Sequence, residues 1–351
     1  MIRRSLVVVA SLAVLLGVAL PAAACNINAN NLYDVHLLWS SVPGLAAGTD
    51  ASLVNGWGIS HSGTSPWWVS NEATDTSTLY NGATGAKVSL TVSVEGGPTG
   101  QVFNGSSDFK VDAGTGLLAA RFIFATESGE IYGWNGVGTT AIEAADTEDA
   151  IYLGLASGAV GTANYLYAAN FHAGTVDVFD GTFNLVSLSG DFTDPTLPEG
   201  YAPFGIQTIR GRIYVAYALQ DADAEEEVAG EGLGYVSVFD TDGNFIERVA
   251  SGGELNAPWG LALAPADFGK FSGDLLVGNF GDGRIHAFRA TSHGWEEHGL
   301  LKGTNHRPIT IDGLWGIGFG NGAAAGPTNR LFFAAGPEDE TEGLFGSISA
   351  P

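Results

Sequence analysis

Tyr201-Ala202-Pro203-Phe204-Gly205-Ile206, Asn256-Ala257-Pro258-Trp259-Gly260-Leu261 and Asp312-Gly313-Leu314-Trp315-Gly316-Ile317 are three copies of one phrase. Each sets an aromatic residue before glycine and a branched aliphatic after it. Asn55-Gly56-Trp57-Gly58-Ile59 is a fourth copy. Gly97-Pro98-Thr99-Gly100-Gln101-Val102 is a degenerate fifth and Tyr152-Leu153-Gly154-Leu155 a sixth. Downstream of each lies a short apolar strand, a turn, and an alternating strand that ends in an aromatic. Leu166-Tyr167-Ala168-Ala169-Asn170 leads to Thr175-Val176-Asp177-Val178-Phe179, and Leu275-Leu276-Val277-Gly278-Asn279 leads to Ile285-His286-Ala287-Phe288.

The glycines at 58, 100, 154, 205, 260 and 316 recur about every 40 to 55 residues. That period suits four short strands per unit and is too long for the coil of a β-helix. No stretch beyond two turns carries helical periodicity. The expected fold is therefore all-β, a single six-bladed β-propeller. The last unit runs out of chain before a fourth strand, and a spare strand from Tyr33 to Trp39 precedes the first. Pairing of this N-terminal strand with the last blade would close the ring and remove two open sheet edges. A two-domain sandwich, the competing architecture, leaves both observations as coincidences.

Composition agrees. Of 351 residues 51 are glycine, and 45% are hydrophobic, which reads as many tight turns between buried strands. The formal net charge is −24, with 14 Lys and Arg. Such a surface repels phosphate backbones and anionic headgroups, so neither nucleic acid nor a membrane surface is an expected partner.

Residues 1–24 read as a signal peptide: Arg3 and Arg4, an apolar run from Leu6 to Leu20, then Pro21-Ala22-Ala23-Ala24. Residues 25–32 form a short linker and 33–351 the propeller. The expected product is a monomer, secreted or periplasmic, with no transmembrane helix after processing. Cys25 is the single cysteine, so the fold has no internal disulfide; lipidation of Cys25 and plain cleavage after Ala24 stand as alternatives.

The stretches Tyr167 to Gly174, Phe192-Thr193-Asp194-Pro195 through Gly205, Gln220 to Asp223, Ala257 to Pro265 and Gly278 to Gly283 resemble an uncharacterised family of exported bacterial propellers. That family is described as NHL-like, and many members carry a C-terminal PEP-CTERM sorting signal, which this sequence lacks. The resemblance implies the six-bladed fold and supplies no activity.

In a propeller, the loops joining the second and third strands of each blade open on one face around the axis. Here they carry Asn71-Glu72, Glu127, Asn170-Phe171-His172, Gln220-Asp221, Asn279 to Asp282, and Glu338-Asp339. Glu72, Glu127, Gln220, Asp221 and Asp282 differ between blades and are the expected ligand-binding residues. His172 is the candidate general base, weighed against a plain hydrogen-bonded loop histidine. Hard cations favour oxygen-rich sites, so Glu72, Asn170, Asp221 and Asn279 are candidate calcium ligands. Six-bladed lactonases of the gluconolactonase and paraoxonase kind offer an analogy of fold alone. Turn capping is the alternative for Asn71, Asn170 and Asn279, because asparagine bonds local backbone. The acidic stretch from Gln220 to Gly232, with Asp221, Asp223, Glu225, Glu226 and Glu227, is either a peripheral calcium loop or, since it lacks EF-hand spacing, a solvated insertion, and the second reading is preferred. Trp57, Phe204, Trp259 and Trp315 read as blade-to-blade packing, or as channel-rim aromatics that stack on a ring-shaped ligand.

Signatures of serine hydrolases, zinc proteases and phosphate loops are absent from the sequence, and Gly318 to Ala323 lies between strands rather than before a helix. Two functions fit: a binding scaffold holding a ligand, glycan or protein at the channel face, and a calcium-assisted hydrolase of lactones or esters.

Overall fold

The computed structural model describes residues 31–351. The expected signal peptide and Cys25 lie outside the described residues. Among those described, no helix is long and apolar enough to cross a membrane.

Six sheets of four or five strands, each built on an antiparallel four-strand meander, form the blades, and a separate two-stranded ribbon pairs Lys110–Asp112 with Leu117–Ala119. Blade one comprises Gly56–Ser60, Trp67–Asn71, Thr76–Tyr80 and Lys87–Ser93; blade two comprises Pro98–Phe103, Phe122–Thr126, Glu130–Trp134 and Ile142–Asp146. Blades three, four and five begin at Tyr152–Val160, Tyr201–Ile209 and Pro258–Leu263. Blade six takes Leu314–Phe319, Arg330–Ala335 and Leu344–Ser349 from the C-terminal end, and Asp34–Ser40 from the N-terminal one. The closing register runs antiparallel from Asp34 opposite Ser349 to Ser40 opposite Leu344. This is the closure expected from the sequence, and it pairs what would otherwise be two exposed edges.

The first strand of every blade is innermost, and the recurring glycine has a steric cause. A Cβ on Gly58 would lie 2.4 Å from the Thr99 carbonyl oxygen; on Gly205, 2.1 Å from that of Trp259; on Gly316, 2.7 Å from that of Trp57. Neighbouring inner strands thus approach backbone to backbone, and the contact from blade six returns to blade one. Only a residue without a side chain permits that approach. Gly205→Ala is expected to destabilise the protein by about 3 kcal/mol, since a closed ring leaves Trp259 no direction in which to yield. Urea unfolding measures it; an unchanged midpoint would contradict the close-packed ring.

Alternation then sends the residues flanking each glycine toward the axis. Trp57, Leu153, Phe204, Trp259 and Trp315 come from the position before the glycine. With Phe171 and Phe280, from loops of blades three and five, they form one apolar cluster. The Trp57 and Trp315 rings stack at 3.7 Å between centroids, and Phe280 stacks on Trp315 at 4.0 Å. These aromatics therefore plug the axis, which neither sequence expectation described.

The acidic insertion is also more ordered than a solvated loop. Glu227–Val228 pairs with the second strand of blade four, placing Val228 opposite Leu219 and Glu227 opposite Gln220. The hairpin leans over the face on which the inner strands begin, the upper face.

Candidate functional site

The upper mouth is built on Asn55, the residue just before the inner strand of blade one. It is fully buried and adopts φ +46°, a left-handed conformation that asparagine tolerates. The indole N–H of Trp315, in the plug below, donates to Asn55 Oδ1 at 2.9 Å. That bond fixes the amide orientation, so Asn55 Nδ2 faces upward. It donates to Glu72 Oε2 at 3.0 Å and to Glu340 Oε2 at 2.6 Å. One buried amide thus holds carboxylates from blades one and six.

Glu127, from blade two, completes the group. Glu127 Oε2 and Glu72 Oε1 both lie 3.3 Å from the point where a Cβ of Gly97 would stand. Glu340 arrives on a turn in which Glu338, Asp339 and Glu340 have φ of +55°, +50° and +65°. Three consecutive non-glycine residues in that region cost energy, and such outliers concentrate at functional sites.

The electrostatics follow from crowding. Burial, then the charges of Glu72, Glu340 and Glu226, push the Glu127 carboxyl up to about 8. Glu340 rises to about 7 through burial, against the Asn55 hydrogen bond, and through Glu226 and Glu72. Glu227 rises to about 8, again by burial first and then by Glu340 and Glu226. Among the described residues, none of these carboxylates is ion-paired with a lysine or arginine, and crowding without counter-charge favours their protonated forms.

Of the residues expected from sequence, Glu72 and Glu127 meet here. Gln220, Asp221 and His172 gather at the neighbouring blade-three and blade-four loops. Gln220 Nε2 donates to the Phe171 carbonyl at 2.6 Å, and His172 Nδ1 lies 3.1 Å from the Ala224 carbonyl. Asp221 Oδ1 accepts the backbone N–H groups of Glu225 and Glu226, which shapes the acidic hairpin and holds Asp221 low. Asn170 Oδ1 accepts the Ala173 N–H and caps its turn, while its Nδ2 donates to Asp177. Asn279 donates to the Glu254 carbonyl, and Asp282 accepts the Arg284 N–H. The proposed calcium ligands are thus divided, with Glu72 at the axis and Asn170 and Asp221 engaged with their own loops. Among the described residues, no three His, Cys, Asp or Glu side chains are grouped to hold a metal ion.

Sequence reasoning missed Asn55 and Glu340, and it read Glu226 and Glu227 as part of a peripheral acidic loop rather than as neighbours of this site. Asn55 sits inside the repeat phrase, where only burial and the tryptophan partner distinguish it. Glu340 lies just past the Glu338-Asp339 pair already placed on the upper face.

No protein-family model matches the chain. It is 32% identical over 333 residues to the uncharacterized protein R648 of Acanthamoeba polyphaga mimivirus, covering 90% of this chain and 80% of that protein. It is also 32% identical to uncharacterized protein L690 of the same virus, covering 90% and 85%. Among solved structures, a streptogramin B lyase superposes with TM-score 0.52 at 14% identity, covering 91% of this chain and 98% of the other. The soluble aldose sugar dehydrogenase of Escherichia coli gives 0.53 at 12%, covering 91% and 100%. Likeness at these identities establishes the propeller alone, and the two enzymes are named for unrelated chemistries.

Proposed function

Because the chain belongs to the family of these two viral proteins, whose names assign no activity, we propose its function from the site: a binding scaffold whose upper mouth receives a positively charged group. The observation that carries this reading is three carboxylates from three blades, Glu72 and Glu340 tied through one buried amide and Glu127 beside Glu72, none of them ion-paired with Lys or Arg among the described residues. A closed ring fixes their positions, so a ligand meets a site already assembled. An organic ammonium or guanidinium fits better than a bare metal ion, because the Asn55 amide stands between Glu72 and Glu340 and, among the described residues, no three metal-ligating side chains are grouped. Calcium, and with it the assisted hydrolysis of a lactone or ester, remains the second reading, since carboxylate oxygens suit it.

Calorimetric titration at about pH 8 with spermidine, and separately with calcium chloride, tests both. Spermidine is expected to bind the wild type at least tenfold more tightly than Glu127→Gln or Glu72→Gln. Glu143→Gln, on the exposed outer strand of blade two, should leave binding unchanged. Equal affinity across all variants would mean diffuse attraction to the net charge and would end the proposal. Saturable calcium binding lost with Glu127→Gln, together with lactone turnover, would favour the hydrolase instead.

A further inference from the structure

The lower half of the channel carries a separate and chemically opposite feature. Below the plug, the second inward position of each inner strand forms a ring of Ile59, Gln101, Leu155, Ile206, Leu261 and Ile317, all lining one narrow passage. Five of the six are aliphatic. The passage widens below into a cavity of about 550 Å³ that opens on the lower face. Among the described residues that line this cavity none is acidic; Ser60, His61, Ser157, Gln207 and Thr208 contribute polar groups, and Arg210 stands exposed at its rim.

Gln101 is 5% exposed. Its Nε2 donates to the Gly58 carbonyl at 2.6 Å, which fixes the amide orientation. Its Oε1 then has no hydrogen-bond donor, and neither does the buried Ser60 Oγ on the same cavity wall. A buried acceptor without a donor costs about 1–3 kcal/mol, which an aliphatic residue here, as in the other five blades, would avoid. Gln101 has one end satisfied, and the other is free within the passage.

We infer that the lower channel is a binding site for a compact neutral molecule with an apolar body and one hydrogen-bond donor, which it presents to Gln101 Oε1. Small-molecule sites commonly set a few placed polar groups among apolar walls, and here Gln101 Oε1 is the buried acceptor within the aliphatic ring, while Ser60, Ser157, Gln207 and Thr208 make the wider cavity below it polar. The acceptor and the protein's net charge disfavour an anion. The aliphatic ring offers a cation no counter-charge. The proposal is independent of the acidic mouth, because the aromatic plug lies between them.

Indole is a suitable probe: flat, neutral, and able to donate one N–H. 1-Methylindole has nearly the same shape and no donor. By calorimetry, indole is expected to bind the full-length protein at least tenfold more tightly than 1-methylindole. Gln101→Met should abolish that preference. Leu261→Trp, which fills the passage and keeps Gln101, should abolish binding of both while sparing spermidine at the upper mouth; it decides the matter even where Gln101→Met folds poorly. Equal affinity for the two probes would overturn the inference. So would failure of indole to bind, with a crystal structure showing only ordered water between Gln101 and Ser60.

Discussion

Trp315→Ala is expected to lower the unfolding free energy by about 4 kcal/mol, the largest effect of any single substitution considered for this fold. Trp315 is fully buried and stacks against both Trp57 and Phe280. Its removal leaves a hole on the axis that six close-packed inner strands cannot collapse to fill. The same change frees Asn55 Oδ1 from its only side-chain donor among the described residues. Asn55 Nδ2 is then no longer held toward Glu72 and Glu340, so spermidine affinity should fall together with stability. Urea unfolding supplies the first readout and calorimetry the second. Trp295→Ala, on the half-buried outer strand of blade five, should cost about 1 kcal/mol or less and leave the mouth intact. A small loss at Trp315, or a large one with spermidine binding unchanged, would disconnect the plug from the site.

The protein is also expected to become less stable as pH rises from about 5 to about 8.5 in the absence of multivalent cations. Glu127, Glu227 and Glu340 keep their protons to about 8, 8 and 7 when folded, against an ordinary glutamate value of 4.5. Folding therefore takes up protons over this interval. The contribution is fully present below the unfolded value and is lost as pH passes through the folded values. Glu127→Gln removes one of these groups, so its melting temperature should exceed that of the wild type by several degrees at about pH 8.5 and match it near pH 5. Added spermidine should raise the wild-type melting temperature at the higher pH and have little effect at the lower. A flat profile from pH 5 to 8.5, or a Glu127→Gln protein that melts below wild type at the upper end, would mean the carboxylates are better solvated than their crowding implies.

Much of the architecture was legible because the cause of the repeat is backbone contact. Gly58, Gly205, Gly260 and Gly316 recur since each meets a neighbouring main chain, and that constraint is written directly as glycine. The spare strand at Tyr33 to Trp39 was legible for a similar reason, as an unpaired edge that a ring must cover. The plug was not, because a tryptophan before a glycine looks the same whether it points between blades or at the axis. At the mouth, Glu72 and Glu127 could be found from loop position alone. Asn55 and Glu340 could not, since their significance lies in a hydrogen bond spanning 285 residues. Gln101 stood in plain view within the degenerate fifth phrase. Its departure from the aliphatic pattern gained meaning only once Gly58 was seen to hold its nitrogen.

Trp57, Trp259 and Trp315, wedged with three phenylalanines across the axis, have one more implication. The molecule is no conduit: whatever enters from one side must leave by the way it came. Residence at either end is then governed by a single exit, and occupancy of the two ends is free to vary without competition. Long-range attraction by the acidic surface would speed arrival of cations above the barrier and do nothing for a neutral guest below it, so ionic strength should slow the one approach and leave the other untouched.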